Sequence, residues 1–552
     1  MKLISIKSYT HLEVYEEDWN KITEDNKNTN PFIEYQFVYN WWKILGAQEN
    51  VEILAVQEHN RIIAFFPFQF QKKWFGYIAH FLALGITNYM DIIARKSDVS
   101  RTIMFALDEV INSKKSIVFY LHGLLESTNT PHELSKYLHA RNMKERHFSI
   151  VTPFIDFDNL DLDEYMNSRK KMHGMDRRSK RLKALGDVSL QVLKGNEMDE
   201  IVRLHKRRWE KKNDTSGFST ESKQKFFRHL AELPEGDFSV RLTTLQLRNE
   251  KIAFTYGFTC RTRYLGYVLG HDSDFDCFGP GRLLVKEKVS QLKSDGFQKL
   301  DMSIGYEPYK MEWNTDVDYT RKSIFSTNTI RAMIFRNTLW FKNIFISKVK
   351  KYRAVVLFRR NTIGKIKYFF RHKGSFRYWA RDIHKKLFPF VYDKKSYVIG
   401  KIAKTIAVGD AQANFSEITP NLVLSSKLER KDILQKIYNG YAGFYTKDIL
   451  KAFWVNENVI RLDDVEVVMN LKKRSVYIRD WQNENILQIL GFVNRYYKGK
   501  DVFISVLTKD QESVKILTNL GVQWTDKVTF TRVLGKSKTS RAEFLNEKKV
   551  SR

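Results

Sequence analysis

Residues able to bind phosphate stand together in the middle of the chain. Gly279-Pro280-Gly281 comes immediately before a pattern of helical periodicity. Glycine lets an anion approach the backbone closely, and a helix N-terminus adds partial positive charge. Pro280 has no N–H group and contributes only geometry. We therefore expect the backbone N–H groups of Gly279, Gly281, Arg282 and Leu283 to bind the phosphates of a cofactor, with the Arg282 side chain either pairing with phosphate or solvated.

Candidate proton acceptors flank this turn. His271 ends the preceding apolar run, and Asp301 lies in the next one. A general base needs a pKa near the working pH, which favours histidine or a desolvated carboxylate. His271 and Asp301 are therefore candidate bases, although Asp301 is also consistent with a structural carboxylate. The loop residues Asp272, Asp274 and Asp276 are typical of solvated or helix-capping positions.

The elements that must position these groups form a strand–helix–strand unit. Tyr264–Gly270 is a β-type run, and Lys299–Ile304 alternates apolar and polar residues as a half-buried strand does. Between them the Gly-Pro-Gly turn opens a helix that Asp295-Gly296 ends. This order predicts a βαβ unit, with the helix N-terminus beside the C-terminal end of a strand.

The length of 552 residues exceeds a single core, so we expect three or four compact units. Two cysteines indicate a reducing compartment rather than a disulfide scaffold. The N-terminal residues lack the apolar core of a secretory signal, and no window is long and apolar enough to span a bilayer. We expect a cytoplasmic protein, free or on the inner membrane face.

The net charge of +30 is concentrated in one segment. Residues 331–400 hold 19 Lys and Arg but two acidic residues, together with many aromatic side chains. In a helix, Ile334, Phe341 and Phe345 lie on one face. Such a segment is typical of an interfacial helix on anionic lipid, of a surface for a polyanion such as tRNA, or of an ordinary packed linker with a solvated basic face.

Several ordered motifs resemble one family. Asn30-Pro31-Phe32, Trp41-Trp42, Arg208-Trp209 and the long run Phe278–Trp313 are similar to the FemAB-related, CelD-type acetyltransferases of the GNAT superfamily. The resemblance covers residues 1 to about 325. It implies two GNAT-like folds side by side, the second holding the active cleft, an acyl donor, and an envelope saccharide or lipid-linked acceptor.

The resemblance gives an α/β (α+β) fold class with tandem GNAT-like domains. Residues 402–535 have a related order of predicted elements, but the helix near Glu484 lacks a Gly-x-Gly turn before it. We expect that part to be structural or to bind substrate rather than acyl-CoA. The predicted divisions are an N-terminal GNAT-like domain (1–159), a catalytic one (160–330), a basic helical linker (331–400), a C-terminal GNAT-like domain (401–535) and a disordered tail (536–552).

Acyl transfer from a thioester to an amine or hydroxyl also needs an acid for the leaving thiolate. Tyr306 and Tyr309 are candidates for that acid, and core or rim packing explains either equally well. Lys310 is a candidate for neutralising charge or holding an acidic acceptor, on the basis of the family-like run Gly305–Lys310.

Other chemistries lack their motifs. There is no Gly-x-x-x-x-Gly-Lys-Ser/Thr loop and no Gly-x-Gly-x-x-Gly run, so nucleotide triphosphate and dinucleotide sites are not indicated. The 13 histidines form no His-x-x-x-His pair and there is no Cys-x-x-Cys, so we expect no metal site.

Three functions therefore stay open. The first is an acyltransferase that uses acetyl-CoA or another acyl-CoA. The second uses the same fold with aminoacyl-tRNA as donor, its basic segments 168–183 and 331–400 carrying the tRNA. The third is a non-catalytic scaffold that docks on membranes.

Overall fold

A computed structural model of the chain describes residues 1–47, 49–169, 172–209, 218, 220–351, 392–402, 414–425, 430–446, 451–465, 467–533 and 536–543. The chain divides into two compact units, Met1–Tyr368 and Phe369–Arg552. Among the helices that the structure describes, none has both the length and the apolar character needed to cross a bilayer.

The described part of the first unit alternates strands and helices in a mixed α/β order. Its strands are β1 (Lys2–Ile6), β2 (Val51–Glu58), β3 (Arg61–Lys73), β4 (Gly76–Phe81), β5 (Ile93–Ala94), β6 (Ile117–Leu125), β7 (Arg146–Asp156), β8 (Val188–Leu193), β9 (Phe238–Leu247), β10 (Glu250–Cys260), β11 (Arg263–His271), β12 (Lys299–Asp301) and β13 (Asp316–Ser326). Its helices are α1 (Tyr9–Leu12), α2 (Glu16–Asp25), α3 (Tyr35–Ile44), α4 (Val99–Lys114), α5 (Thr130–Ala140), α6 (Leu162–Ser168), α7 (Met172–Lys183), α8 (Met198–Trp209), α9 (Glu221–Glu232), α10 (Pro280–Ser294), α11 (Pro308–Trp313) and α12 (Ile330–Lys351).

One continuous sheet runs through this unit. Its strand order is β1-β2-β3-β4-β6-β13-β7-β12-β11-β10-β9-β8, with β5 pairing to β3. Two neighbouring pairs are parallel, β4 with β6 and β11 with β12, and each is joined through a helix. The predicted βαβ unit is therefore confirmed at β11, α10 and β12.

The two predicted domains, 1–159 and 160–330, exchange strands within this sheet. Strand β13 from the second segment lies between β6 and β7 of the first, and β7 pairs with β12 of the second. Both segments therefore belong to one sheet and one compact unit.

The aromatic motifs of the N-terminal segment supply a core that both segments share. The Asn30 side chain accepts a hydrogen bond from the Phe32 N–H at 3.1 Å and fixes the turn. Phe32 then packs against Phe258, and Phe37 packs against Phe226, with ring centroids 5.5 and 5.6 Å apart. Deleting a buried aromatic ring of this kind costs about 3–5 kcal/mol, so this shared core binds the two segments together.

Helix α10 begins and ends where its sequence predicts. Gly279 adopts the left-handed conformation (φ 64°), and Pro280 occupies the first helical turn. At the other end Gly296 is also left-handed, and the Phe297 N–H donates to the Leu292 carbonyl at 3.1 Å. These bonds satisfy carbonyl groups that the end of the helix would leave unpaired.

Helix α12 covers the first part of the predicted linker, from its start to Lys351. Phe335 stacks on Phe75 with ring centroids 4.2 Å apart and packs the helix on the first unit. Residues 352–391 lie outside the described residues. The end of the predicted linker is wrong, because residues 392–400 belong to a strand, where Tyr397, Val398 and Ile399 are buried.

The second unit has its own sheet. Its described strands are β14 (Tyr392–Ile402), β15 (Ser416–Glu417), β16 (Tyr441–Tyr445), β17 (Phe453–Glu457), β18 (Val459–Leu462), β19 (Val467–Asn470), β20 (Ser475–Arg479), β21 (Asp501–Leu507), β22 (Val522–Val533) and β23 (Lys536–Glu543), and its described helices are α13 (Pro420–Ser425), α14 (Lys431–Tyr438), α15 (Ile486–Tyr496) and α16 (Gln511–Asn519). The main sheet has the order β15-β16-β17-β20-β21-β14-β22-β23, and β18 pairs with β19 separately. Here too one pair, β20 with β21, is parallel and joined by a helix.

The start of the predicted disordered tail is also wrong. Residues 536–543 form β23, which pairs antiparallel with β22 from Lys536 opposite Val533 to Glu543 opposite Asp526. Because this strand is held by backbone hydrogen bonds at a sheet edge, its charged sequence gives no apolar signal. Residues 544–552 lie outside the described residues.

Candidate active site

A cavity opens where the parallel strands β11 and β12 part. The two strands pair only from Arg263 opposite Lys299 to Leu265 opposite Asp301. Beyond that point β11 continues to His271 paired with β10 on its other side, while the chain after Asp301 follows β7, where the Gly305 N–H donates to the Val151 carbonyl at 2.8 Å. The space between them is a cavity of about 380 Å³. This volume lies in the range typical of small-molecule sites, about 300–1,000 Å³.

The cavity wall combines apolar and polar side chains. Ser303, at its edge, has an unusual positive φ of 66° and accepts a hydrogen bond from the Asn88 side chain at 2.7 Å. Such a backbone conformation in a residue other than glycine costs energy and is common at functional sites. The polar members of the wall include Asn88, Thr255, Lys288, Ser303, Tyr309 and Lys310.

Asp301 lies at this cavity, but its carboxylate is fully engaged. It is only 1% exposed, accepts a hydrogen bond from the Tyr89 hydroxyl at 2.9 Å, and forms an ion pair with Arg263. The backbone N–H of Ser303 donates to the same carboxylate at 2.6 Å. Three donors already bind this carboxylate, so the structure favours the structural role for Asp301 that the sequence left open.

His271 lies at the glycine turn rather than in the cavity wall. Its Nε2 is 2.8 Å from an Asp276 carboxylate oxygen. A Cβ atom added at Gly281 would come within 3.2 Å of His271 Nδ1. Glycine at this position therefore lets the imidazole pack directly on the first turn of α10.

The three residues predicted from the run after β12 have different surroundings. Tyr306 is 74% exposed and is not part of the cavity wall, whereas Tyr309 is half-buried and lines it. Lys310 also lines the cavity, but its Nζ donates to the Ile304 carbonyl at 2.8 Å and pairs with Glu307 at 2.9 Å. The Lys310 side chain therefore stabilises the loop from which it comes. Of the three residues, Tyr309 lines the cavity with a hydroxyl group suited to proton transfer.

Some of the backbone N–H groups predicted to bind phosphate already donate hydrogen bonds within the turn. The N–H groups of Arg282 and Leu283 donate to the Gly279 carbonyl at 3.0 and 3.3 Å, and the Gly279 N–H donates to the Asp276 carbonyl at 3.2 Å. The Arg282 guanidinium pairs with Glu312 at 3.2 Å and joins α10 to α11. Leu283 is buried in the core.

A second cationic group reaches the turn from α7. A Cβ atom added at Gly279 would lie 3.1 Å from Arg178 Nη1, so the guanidinium lies directly over the turn. Lys286 of α10 pairs with Asp176 of α7 at 3.1 Å and fixes the two helices. The basic run 168–183 therefore places an arginine beside the glycine turn. The spacing of these residues in the sequence does not predict that contact.

Lys288 is the cavity residue that sequence reasoning missed. It is 2% exposed, its Nζ donates to Thr243 Oγ1 at 2.7 Å, and it lies 4.4 Å from the centre of the Tyr264 ring. Burial, together with the nearby positive charge of Arg241, lowers the pKa of the Lys288 amine well below its usual value. The burial of Lys288 could have been predicted from the sequence, because position 288 lies on the same helical face as Val285 and Leu292.

The family of this region is decided by its sequence. Residues 169–311 match the model of the acetyltransferase (GNAT) domain. This segment is a GNAT acetyltransferase domain. The GNAT match includes the glycine turn, α10 and most residues of the cavity wall, and it supports an acyltransferase.

Several solved structures are similar to part of this chain. FemX is 11% identical with a TM-score of 0.41, covering 58% of this chain and 97% of its own. A tandem GNAT protein from the clavulanic acid biosynthesis pathway is 8% identical with a TM-score of 0.34, covering 58% and 98%. A GCN5-related N-acetyltransferase from Sphaerobacter thermophilus is 8% identical with a TM-score of 0.29, covering 58% and 95%. No curated protein sequence matches the chain.

Proposed function

We propose that the protein transfers an acyl group, most simply acetyl, from coenzyme A to an amine or hydroxyl of a cell-envelope saccharide or lipid-linked precursor. The observation that carries this proposal is the cavity between β11 and β12, with the glycine turn of α10 on the same βαβ unit. The acceptor class rests on the sequence resemblance described above.

The residues present suit an acyl-CoA donor. The cavity has apolar side chains, including Val268, Leu269 and Val285, beside a few polar groups, as an extended thioester arm requires. For the phosphates, Gly281 supplies a backbone N–H group at the N-terminus of α10, and Arg178 supplies a guanidinium group. The donor supplies an activated thioester carbonyl.

Lys288 and Tyr309 would handle the protons. A direct attack forms the bond between the acceptor nitrogen or oxygen and the acyl carbon, and breaks the bond between that carbon and sulfur. The proton released by the acceptor passes to the Lys288 amine, because burial lowers the pKa of this amine and so favours its unprotonated form. The Tyr309 hydroxyl donates a proton to the departing thiolate.

A neighbouring cavity is the proposed acceptor site. It has a volume of about 440 Å³ and shares the loop residues Gly85 and Ile86 with the first cavity. Gln69, Gln71 and His80 line it together with the aromatic ring of Trp41. Amide groups and an aromatic face suit hydroxyl-rich ligands, because they offer both donors and acceptors.

A second candidate donor is aminoacyl-tRNA. The observation in its favour is a basic surface on α7, where Arg177, Lys180 and Arg181 line an open cavity of about 510 Å³. Such a surface suits a phosphate backbone, and binding to it would weaken strongly as salt increases.

Calorimetric titration with acetyl-CoA separates these proposals. The wild-type protein should bind acetyl-CoA with micromolar affinity, and Gly281→Trp, which fills the space against His271, should abolish binding. Gly236→Ala, where a Cβ meets no atom within 4 Å, is the matched control. Absence of binding in the wild type would overturn the acyl-CoA proposal, and salt-sensitive binding of charged tRNA would then support the second one.

Helix α12 is the proposed contact with an anionic membrane surface. Its outward face exposes the apolar side chains of Ile334, Phe341 and Phe345, and Phe341 is 63% exposed. The basic side chains of Arg331 and Lys342 are also exposed and flank this face. Exposed aromatic rings beside basic side chains suit the boundary between headgroups and acyl chains.

A further inference from the structure

The second unit repeats the parting of parallel strands. Strands β20 and β21 pair from Ser475 opposite Asp501 to Ile478 opposite Ile504, and the described pairing then stops. A cavity of about 400 Å³ opens at this point. It is as large as the cavity of the GNAT domain and occupies the corresponding place in its own βαβ unit.

Hydroxyl groups and carboxylates supply much of the wall of this cavity. The Tyr477 and Ser505 hydroxyl oxygens are 2.6 Å apart, and Tyr477 is only 1% exposed. The Tyr397 hydroxyl donates to Asp464, which also pairs with Lys395 at 3.1 Å. Although burial opposes it, these two hydrogen bonds lower the pKa of Asp464, so this carboxylate is a fixed acceptor.

The charges of this cavity are compensated within the protein. Arg479 pairs with Asp463 and, at 3.2 Å, with Asp480. Asp480 pairs in turn with Lys436 at 2.6 Å. A phosphate would have to break these pairs and would meet three carboxylates in the wall, Asp464, Asp480 and Asp510. The cavity is therefore a poor site for an anion.

The entrance of α15 also differs from that of α10. The residues before Ile486 are a short 3-10 turn, Asn483–Asn485, in which no glycine occurs. A backbone seat for pyrophosphate like the one at Gly279-Pro280-Gly281 is thus missing from these described residues. The half-buried Trp481 stands beside this turn and lines the cavity.

We propose that this cavity binds an uncharged saccharide unit. Sugar hydroxyls both donate and accept hydrogen bonds, so they can pair with Asp464, Arg479 and Ser505 without breaking the internal ion pairs. The apolar face of a sugar ring can pack on Trp481, whose aromatic body and N–H suit a partly polar ligand. This site is independent of the acyl donor and does not rest on the proposed transfer reaction.

Saturation-transfer NMR on the full-length protein, without acyl-CoA, tests the site. The probes are N-acetylglucosamine and methyl β-glucoside, with methyl phosphate, whose methyl protons are observable, as the anionic comparison. We expect transfer to at least one sugar, and no transfer to methyl phosphate that depends on Ser505. In Ser505→Trp, which fills the cavity, sugar binding should weaken about tenfold or more. Val268→Trp, which fills the first cavity, should leave it unchanged.

Three results would overturn the proposal. They are no saturation transfer to either sugar, equal binding by wild type and a folded Ser505→Trp, or loss of sugar binding in Val268→Trp alone. If Ser505→Trp does not fold, Arg461→Ala at the cavity wall is the second variant. Weaker sugar binding by that variant supports the proposal, and unchanged binding by both Arg461→Ala and Trp481→Ala contradicts it.

Discussion

The Asp301 carboxylate on β12 forms a buried ion pair with the Arg263 guanidinium on β11. The Tyr89 hydroxyl from the N-terminal segment donates to the same carboxylate, so the pair joins the sheet to the loop that borders the cavity. Replacing one partner of a buried pair strands the other charge, which costs far more than the pair contributes to stability.

Asp301→Asn should therefore lower stability as well as activity. We expect the free energy of unfolding in urea to fall by about 3–5 kcal/mol, because Arg263 loses its counter-charge. The double variant Arg263→Met with Asp301→Asn should recover much of that loss. Wild-type stability with activity abolished would instead identify Asp301 as the base.

Lys288→Met should remove a proton acceptor and also reduce the pH dependence of the free energy of unfolding. The pKa of Lys288 is lower in the folded chain than in the unfolded one, so unfolding takes up a proton between these two values. The unfolding free energy of the wild type should thus rise with pH across this window, by up to about 1.4 kcal/mol per pH unit. We expect a flatter profile for Lys288→Met, together with a large loss of kcat. Lys225→Met, which removes an exposed lysine of α9, is the control.

Arg178→Ala should weaken acyl-CoA binding specifically. Loss of one charge-assisted contact to phosphate should reduce the affinity measured by calorimetry about tenfold. Arg203→Ala, an exposed arginine paired with Glu200 at 2.6 Å, should have no effect. Equal affinities for wild type and Arg178→Ala would show that the guanidinium over the turn does not contact the donor.

His122 should make the protein sensitive to acid. Burial lowers its pKa to about 3, with smaller contributions from Lys322 and His80. In the unfolded chain the group binds a proton near pH 6.5, so stability should decrease as pH falls from about 6.5 toward 3. His122→Gln should reduce this slope in urea titrations at successive pH values. A slope identical to that of the wild type would show that His122 is charged in the folded state.

Phe341→Ser with Phe345→Ser should weaken association with vesicles. The two rings are exposed on α12 and have the area needed to enter the lipid interface. Cosedimentation with anionic vesicles should fall several-fold, while neutral vesicles bind the wild type poorly. Val14→Ser removes an exposed apolar residue elsewhere and is the control. Equal cosedimentation of all variants would contradict the proposed membrane contact.

Local sequence signals were sufficient to predict the βαβ unit of the GNAT domain. Gly279, Pro280 and Gly296 act through their own backbone conformations, so the start and end of α10 can be read from a few residues. The sequence did not separate Tyr309, which lines the cavity, from Tyr306, which is exposed and lies outside the cavity wall.

Long-range pairing was not predictable in this way. The ion pair of Asp301 depends on Arg263, which lies 38 residues away in sequence. The position of Arg178 over Gly279 depends on how α7 packs, not on spacing. Strand β14 was hidden because its sequence continues the basic composition of the segment before it, and only its pairing with β21 and β22 identifies it.

The placement of β13 between β6 and β7 has a consequence for synthesis on the ribosome. Strand β6 ends at Leu125, and its neighbour β13 is complete only at Ser326. At a translation rate of about 5–20 residues per second, about 10–40 s pass before that partner emerges. During this time a strand that is fully buried in the folded protein keeps an open edge, which invites pairing with other nascent chains. We therefore expect the yield of folded protein to rise when chaperones that bind exposed strand edges are co-expressed.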